Sequence, residues 1–231
     1  MNLRQSLKKL LVNSPLKYSE RVDGLLRLTL LKSWIAQHQP HPYLSSREEL
    51  YAFVQETAVH PHPITLLEFG VYQGDSLQTW ATLNTHPHSQ FIGFDSFEGL
   101  PEAWVNLSQT FALGSFSTAG KTPMMTDPRV HFVKGWFQQT LPPFLAQFTP
   151  ANPLIIHCDA DIYPSTLYVL CQLNPYLQAG SIIIFDDFSS MLHDFRAWDD
   201  YTRAFARQYE VLSAAGRTYY EHVALRLTNE P

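Results

Sequence analysis

The stretch Leu66-Leu67-Glu68-Phe69-Gly70-Val71-Tyr72-Gln73-Gly74-Asp75-Ser76 constrains what this chain can fold into more than any other. An apolar run ends in an acid, passes through a turn with glycines four residues apart, and reaches a helix start. Residues 64–69 read as a buried strand, and Asp75 or Ser76 as the cap of the following helix. In open α/β sheets, ligands sit in the crevice beyond the carboxyl ends of the strands, where Glu68 falls. Gly70 and Gly74 carry no Cβ, so the backbone can turn sharply and admit a ligand closely. The spacing E-x-G-x-x-x-G differs from the G-x-G-x-x-G of dinucleotide sites. An acid at Glu68 repels a pyrophosphate and suits a cationic ligand. S-adenosylmethionine, with a sulfonium, an ammonium and no phosphate, has that chemistry.

The rest of the chain repeats strand then helix. Further strands are read at 90–95, 130–134, 154–157 and 181–185, and a terminal hairpin over 210–227 around Gly216. Helices are read at 3–12, 22–37, from a capping box of Ser46 and Glu49, from the glycine turn to Asn84, at 141–148, through Ser165 to about Leu177, and at 195–209. The alternation predicts an α/β, doubly wound, mostly parallel sheet of seven strands, with an antiparallel strand supplied by the hairpin. Residues 1–58 form an N-terminal helical arm in this reading, and 59–231 the cofactor-binding domain. The helix at 22–37 is apolar on more than one face, through Leu25, Leu26, Leu28, Leu30, Leu31, Trp34 and Ile35. That fits packing on its own domain or on a second copy, and a homodimer is expected. Residues 98–128 make a connection long enough to serve as a partly helical flap over the site, with Trp104, Phe111, Phe116 and Lys121 on it.

Composition removes several classes. At 231 residues and 45% hydrophobic, the chain can bury a proper core. A net charge of -5 is the wrong sign for a nucleic-acid footprint. No apolar run approaches the ~20 residues of a membrane span, so no membrane partner is expected. Arg4, Lys8 and Lys9 are not followed by the apolar core of a signal peptide. Two cysteines, Cys158 and Cys171, sit in apolar surroundings and read as reduced core residues, which points to the cytoplasm.

The strand ends carry the chemistry. Three end in the acids Glu68, Asp95 and Asp159, and a fourth in the pair Asp186-Asp187. Asp95, closing the second strand, is placed to accept hydrogen bonds from a ribose diol. If the fourth and fifth strands are neighbours, about 4.8 Å apart, then Asp159, Asp186 and Asp187 converge. Carboxylates so close repel one another unless a cation sits among them, and Mg²⁺ with its preference for oxygen is the simplest choice. The bland alternative is that these acids cap helices and face water. Asp161 is read as a helix or turn start, His157 as a packed strand residue, and His193, in the loop after the acidic pair, as a candidate base.

Five segments recur in an order that resembles a known family. They are residues 67–76, residues 93–101 (Gly-Phe-Asp-Ser-Phe-Glu-Gly-Leu-Pro), Lys134-Gly135-Trp136-Phe137, residues 157–166 (His-Cys-Asp-Ala-Asp-Ile-Tyr-Pro-Ser-Thr) and Phe185-Asp186-Asp187-Phe188. Together they resemble class I S-adenosylmethionine-dependent methyltransferases, and within them the macrocin O-methyltransferase-like group. The resemblance covers roughly residues 64–190. It implies the sheet order 3-2-1-4-5-7-6. It implies S-adenosylmethionine held at its methionine end by Glu68, Gly70, Val71, Tyr72, Gly74 and Ser76, with Asp159 nearby. The ribose would rest on Asp95, and the adenine near Ser96 and the Gly135-Trp136 turn. It also implies Mg²⁺ on Asp159, Asp186 and Asp187, and a small-molecule hydroxyl acceptor belonging to a sugar or secondary metabolite. Pro164 stands where many relatives carry Glu or Ser, which alters the substrate rim. Methyl transfer from a sulfonium is an in-line displacement, so positioning is the main task, with a base to take the hydroxyl proton. Asp159 and His193 are the base candidates. A metal-independent methyltransferase and a non-catalytic cofactor-binding scaffold are the alternatives; intact acids at every strand end weigh against the scaffold.

Overall fold

The computed structural model describes Gln5 and residues 20–39, 42–105, 109–150, 152–217 and 220–230. The helix expected over 3–12 lies outside the described residues apart from Gln5. The main sheet is built from β1 (Tyr43–Leu44), β2 (Thr65–Phe69), β3 (Gln90–Asp95), β6 (Val130–Lys134), β7 (Leu154–Cys158), β8 (Ile182–Phe185), β9 (Tyr209–Ala215) and β10 (His222–Leu227). A separate ribbon pairs β4 (Trp104–Val105) with β5 (Thr110–Phe111). The strand order is β1-β9-β10-β8-β7-β2-β3-β6. Numbered by the seven long strands this is the expected 3-2-1-4-5-7-6, with the two-residue β1 added at one edge, parallel to β9. Only β10 runs antiparallel to its neighbours in this sheet. β7 and β8 are adjacent and parallel, with Cys158 beside Phe185. The chain steps from β2 out to β3 and β6, then crosses back to lay β7 on the other side of β2. The β2/β7 boundary is therefore the switch point, where doubly wound sheets open a ligand crevice.

β2, β7 and β8 are buried along their whole length, which explains why they read as unbroken apolar runs. Their side chains alternate between two cores. Leu67, Phe69, Ile156, Cys158 and Phe185 join one, while Leu66, Ile155 and Ile184 join the other. The first core is covered by α1 (Glu20–His38) through Leu31 and Trp34, by α4 (Phe137–Leu145), by α5 (Tyr163–Leu173) and by α6 (Asp194–Ala204) through Trp198 and Tyr201. The second is covered by α2 (Arg47–Val54), with Leu50, Tyr51 and Val54, and by α3 (Asp75–Leu83), with Leu77 and Trp80. Residues 47–54 thus share a core with the sheet.

Several boundaries differ from the sequence reading. α3 is entered through Gly74 in the left-handed region, and neither Asp75 nor Ser76 caps it. α5 stops at Leu173, where Pro175 forces a short 3-10 turn over Asn174–Tyr176. α4 starts at Phe137 and ends at Leu145 rather than spanning 141–148. α6 ends at Ala204, and Ala206 then takes a positive φ of 51°. Among the described residues of 98–128 there is no helix; the flap is a loop carrying the β4–β5 ribbon.

Candidate active site

The turn after β2 is tied to its neighbours through the backbone. Gly70 N–H donates to Phe94 O (3.0 Å), and Asp159 N–H donates to Phe69 O (2.9 Å). Gly70 has φ +92°, and a Cβ there would overlap the Asp159 carbonyl oxygen. The glycine is therefore required by the close approach of β2 and β7, not only by a ligand. Asp95 binds the same turn from β3. Its Oδ2 accepts from Val71 N–H (2.8 Å) and Tyr72 N–H (2.9 Å), and its Oδ1 accepts from Phe97 N–H (2.7 Å). One carboxylate thus fixes two loops and keeps one lone pair, on Oδ1, for a ligand. Glu68 is fully buried and accepts from Ser76 Oγ, so it braces the start of α3 from behind the wall. Its Oε2 has no hydrogen-bond partner in the structure.

A cavity of about 390 Å³ opens at the switch point. Gly70, Val71, Tyr72, Asp95, Ser96, Gly135 and Trp136 line it, as do Leu100, Trp104 and Phe116 of the flap. Asp159, Asp161, Asp186, Asp187 and Arg47 line it too. Of the expected cofactor residues, Glu68, Gly74 and Ser76 are not in the lining, and neither is His193. Ribose and adenine candidates therefore meet in one space, while Glu68 and Ser76 support it from outside. His193 Nδ1 accepts from Tyr163 N–H (3.2 Å), and Nε2 lies 2.8 Å from Val105 O. Both ring nitrogens face backbone groups, and His193, expected as a candidate base, lies outside the lining of this cavity.

The acids crowd as the strand order requires. Ligand atoms of Asp159, Asp161 and Asp187 lie within 4.8 Å of one another, and so do those of His157, Asp159 and Asp186. Asp159 belongs to both groups, and the pair after β8 splits, Asp187 to one and Asp186 to the other. Burial, then the charges of Asp186, Asp161 and Asp187, push the Asp159 carboxyl well above the usual carboxylate range. Burial and Asp187 raise Asp161 to about 8, and burial and Asp186 raise Asp187 to about 7. Asp186 goes the other way. Burial opposes its charge, but His222, His157 and Arg47 outweigh that and hold it below its usual value. Arg47 Nη1 is 3.3 Å from Asp186 Oδ2, and His222 Nδ1 is 3.2 Å from Oδ1. Behind them His157 Nε2 lies 3.0 Å from Tyr51 Oη. Carboxyls held up by mutual repulsion around a shared point, all oxygen donors, suit a hard divalent cation.

A sheet of this order, with its cavity at the switch point and an acid in place of a phosphate-binding glycine loop, is the build of a class I S-adenosylmethionine-dependent methyltransferase. A sequence model described as Macrocin-O-methyltransferase (TylF) matches residues 46–212, and the chain belongs to this family of O-methyltransferases. It is 28% identical over 221 residues, covering 82% of both chains, to the 8-demethyl-8-(2,3-dimethoxy-alpha-L-rhamnosyl)-tetracenomycin-C 4'-O-methyltransferase of Streptomyces olivaceus. It is 33% identical over 82 residues to the demethyldecarbamoylnovobiocin O-methyltransferase of Streptomyces niveus, covering 35% of this chain and 29% of that one. Among solved structures, the calicheamicin methyltransferase CalS11 matches with a TM-score of 0.54 and 26% identity, covering 96% of this chain and 90% of that one. The O-methyltransferase NovP shares the fold, with a TM-score of 0.61, 23% identity and 79% of each chain covered. The chain is thus an S-adenosylmethionine-dependent O-methyltransferase.

Two charged lining residues were not foreseen. Asp161 was read as a turn residue, although its place two positions after Asp159 in a strand-end acid pair was the available signal. It takes φ +62°, a backbone turn that brings it back beside Asp159. Arg47 gave no signal, because its contact with Asp186 spans 139 positions.

Proposed function

We propose that this enzyme methylates a hydroxyl of a sugar or a sugar-bearing secondary metabolite, with Mg²⁺ held by Asp159, Asp186 and Asp187. The carrying observation is the convergence of strand-end carboxylates in one cavity, where Arg47 is the lone Lys or Arg among the described lining residues. The named activities of the Streptomyces relatives support the acceptor class. S-adenosylmethionine fits the cavity through Asp95, whose Oδ1 keeps one free lone pair, and through the glycine turn at Gly70. When bound, the cofactor supplies a methyl on a sulfonium, a good leaving group. When bound, the cation supplies Lewis acidity that favours the alkoxide form of an acceptor hydroxyl.

The chain's own residues do the rest. Asp95 and the 70–72 backbone fix the cofactor end, and the flap aromatics Trp104 and Phe116 wall the cavity. Asp161, which lines the cavity beside Asp159 and is not among the carboxylates assigned to Mg²⁺, is the proton acceptor in this reading, with Asp159 as the alternative. The test is transfer of labelled methyl from S-adenosylmethionine to a panel of vicinal-diol glycosides, with and without EDTA. Transfer lost in EDTA and restored by Mg²⁺ is expected. Equal transfer in EDTA would overturn the metal role and leave a metal-independent methyltransferase.

The protein acts in the cytoplasm in this reading; no described helix is long and apolar enough to cross a membrane. It pairs as a homodimer through α1, whose Val22, Leu25, Leu26 and Leu30 are exposed while Leu31 and Trp34 face the core. Light scattering checks this: a dimer that Leu25→Glu with Leu26→Glu converts to monomer is expected, and a monomeric wild type would end it.

A further inference from the structure

The ring of His193 joins three segments that are far apart in the chain. Tyr163 N–H can only donate, so Nδ1, 3.2 Å away, must accept. The ring hydrogen then sits on Nε2, which donates to Val105 O at 2.8 Å. Tyr163 opens α5, directly after the Asp159–Asp161 corner, and His193 stands at the start of α6. Val105 belongs to β4, on the flap. The neighbouring Trp104 Nε1 donates to Ser190 Oγ at 3.4 Å, so two adjacent flap residues are held by the loop after β8. Trp104 also packs with Leu100 on Ile162, the residue after Asp161, and stacks on Phe111 with ring centroids 4.9 Å apart. Trp104, like Leu100, both packs on this corner and lines the cavity, and it is the one of the two with a hydrogen bond to the loop after β8.

We infer that His193 is a positioning residue: it latches β4 to the acidic corner and so fixes the Trp104 wall against which the acceptor is placed. It acts through the flap and does not exchange a proton with the acceptor. A base and a latch differ in what can replace them. The side-chain amide of glutamine carries a donor near the place of Nε2 and can reach Val105 O, but it cannot titrate. The latch is therefore rescued by His193→Gln, and a base is not.

The test is amide hydrogen exchange on the full chain, wild type, His193→Ala and His193→Gln, with S-adenosylhomocysteine as the bound probe. It needs no acceptor and does not depend on the metal. In His193→Ala, exchange in peptides covering residues 100–105 and 110–116 is expected to rise roughly tenfold, the equivalent of about 1.4 kcal/mol in local opening. Exchange in β2 and β7, and affinity for S-adenosylhomocysteine, stay at wild-type values. His193→Gln returns the flap to near wild-type protection. Flap exchange unchanged in His193→Ala, or a rise spread evenly over the sheet, would overturn the latch. So would equal loss of protection in both variants.

Discussion

Asp161 and Asp95 show how much one carboxylate can do at this site, and how differently two can do it. Without a cation beside it, burial and then the charges of Asp187 and Asp194 raise the Asp161 carboxyl to about 8. Asp161→Asn is expected to lower the rate of methyl transfer by about 10²-fold or more, while S-adenosylhomocysteine affinity stays unchanged. A rate within a few-fold of wild type would move the base role to Asp159. Asp95 instead holds three backbone N–H groups of two loops. Asp95→Ala is expected to destabilise the fold by about 3 kcal/mol in denaturant unfolding, and to abolish cofactor binding with it. Normal stability with lost cofactor binding would make Asp95 a pure ligand contact. The sequence exposed Asp95 because an acid closing the second strand is a pattern. It did not expose Glu68's place behind the wall, because the partner that turns it there, Ser76, was read as a helix cap. The contacts of His193 are hidden for a related reason: Tyr163 and Val105 meet it through backbone groups, which no side-chain pattern announces.

At the scale of elements, the strands were legible and the pieces that close the site were not. β2, β7 and β8 are buried on both faces, so their apolar runs stand out, and the acids after them mark the crevice. The flap carries Trp104 and Phe111 in two-residue strands, too short to show an alternation, and Phe116 in a turn beyond them. α2 was visible from Ser46, whose side chain accepts from Glu49 N–H, although the Glu49 carboxylate returns to Ser45 N–H. What α2 delivers was not visible: Arg47 at its first turn reaches Asp186 across the sheet edge. Arg47 and a cation compete for the same negative charge. Arg47→Met is therefore expected to tighten Mg²⁺ binding several-fold in calorimetry. Weaker binding would show that Arg47 organises Asp186 for the metal instead.

For the whole molecule, the acid cluster makes stability depend on pH in a way an ordinary surface would not. Asp161, Asp187 and Asp194 are raised to about 8, 7 and 8 from a usual 3.8. The folded chain therefore binds protons that the unfolded chain has released. Their contribution to stability is complete below the unfolded value and is lost as pH rises through about 7 to 8. Without metal, Tm is expected to fall as pH goes from about 6 to about 8.5, and Mg²⁺ to raise it more at the upper end, since it binds the deprotonated form. A Tm that is flat over this range, with no Mg²⁺ response, would contradict the cluster's role. The same convergence was legible in outline from the sequence, since strand order alone brings Asp159 to the Asp186-Asp187 pair. Its split into two overlapping groups was not, because it depends on Arg47 and His222 drawing Asp186 to one side.

The central claim is that cofactor and cation share this cavity through different residues. Calorimetric titration with S-adenosylhomocysteine, with and without Mg²⁺, on wild type and on Asp186→Ala with Asp187→Ala, addresses it directly. The expected result is cofactor binding in both proteins and Mg²⁺ binding in the wild type alone. Absence of cofactor binding to the wild type, or a Mg²⁺ response that survives the double substitution, would contradict it.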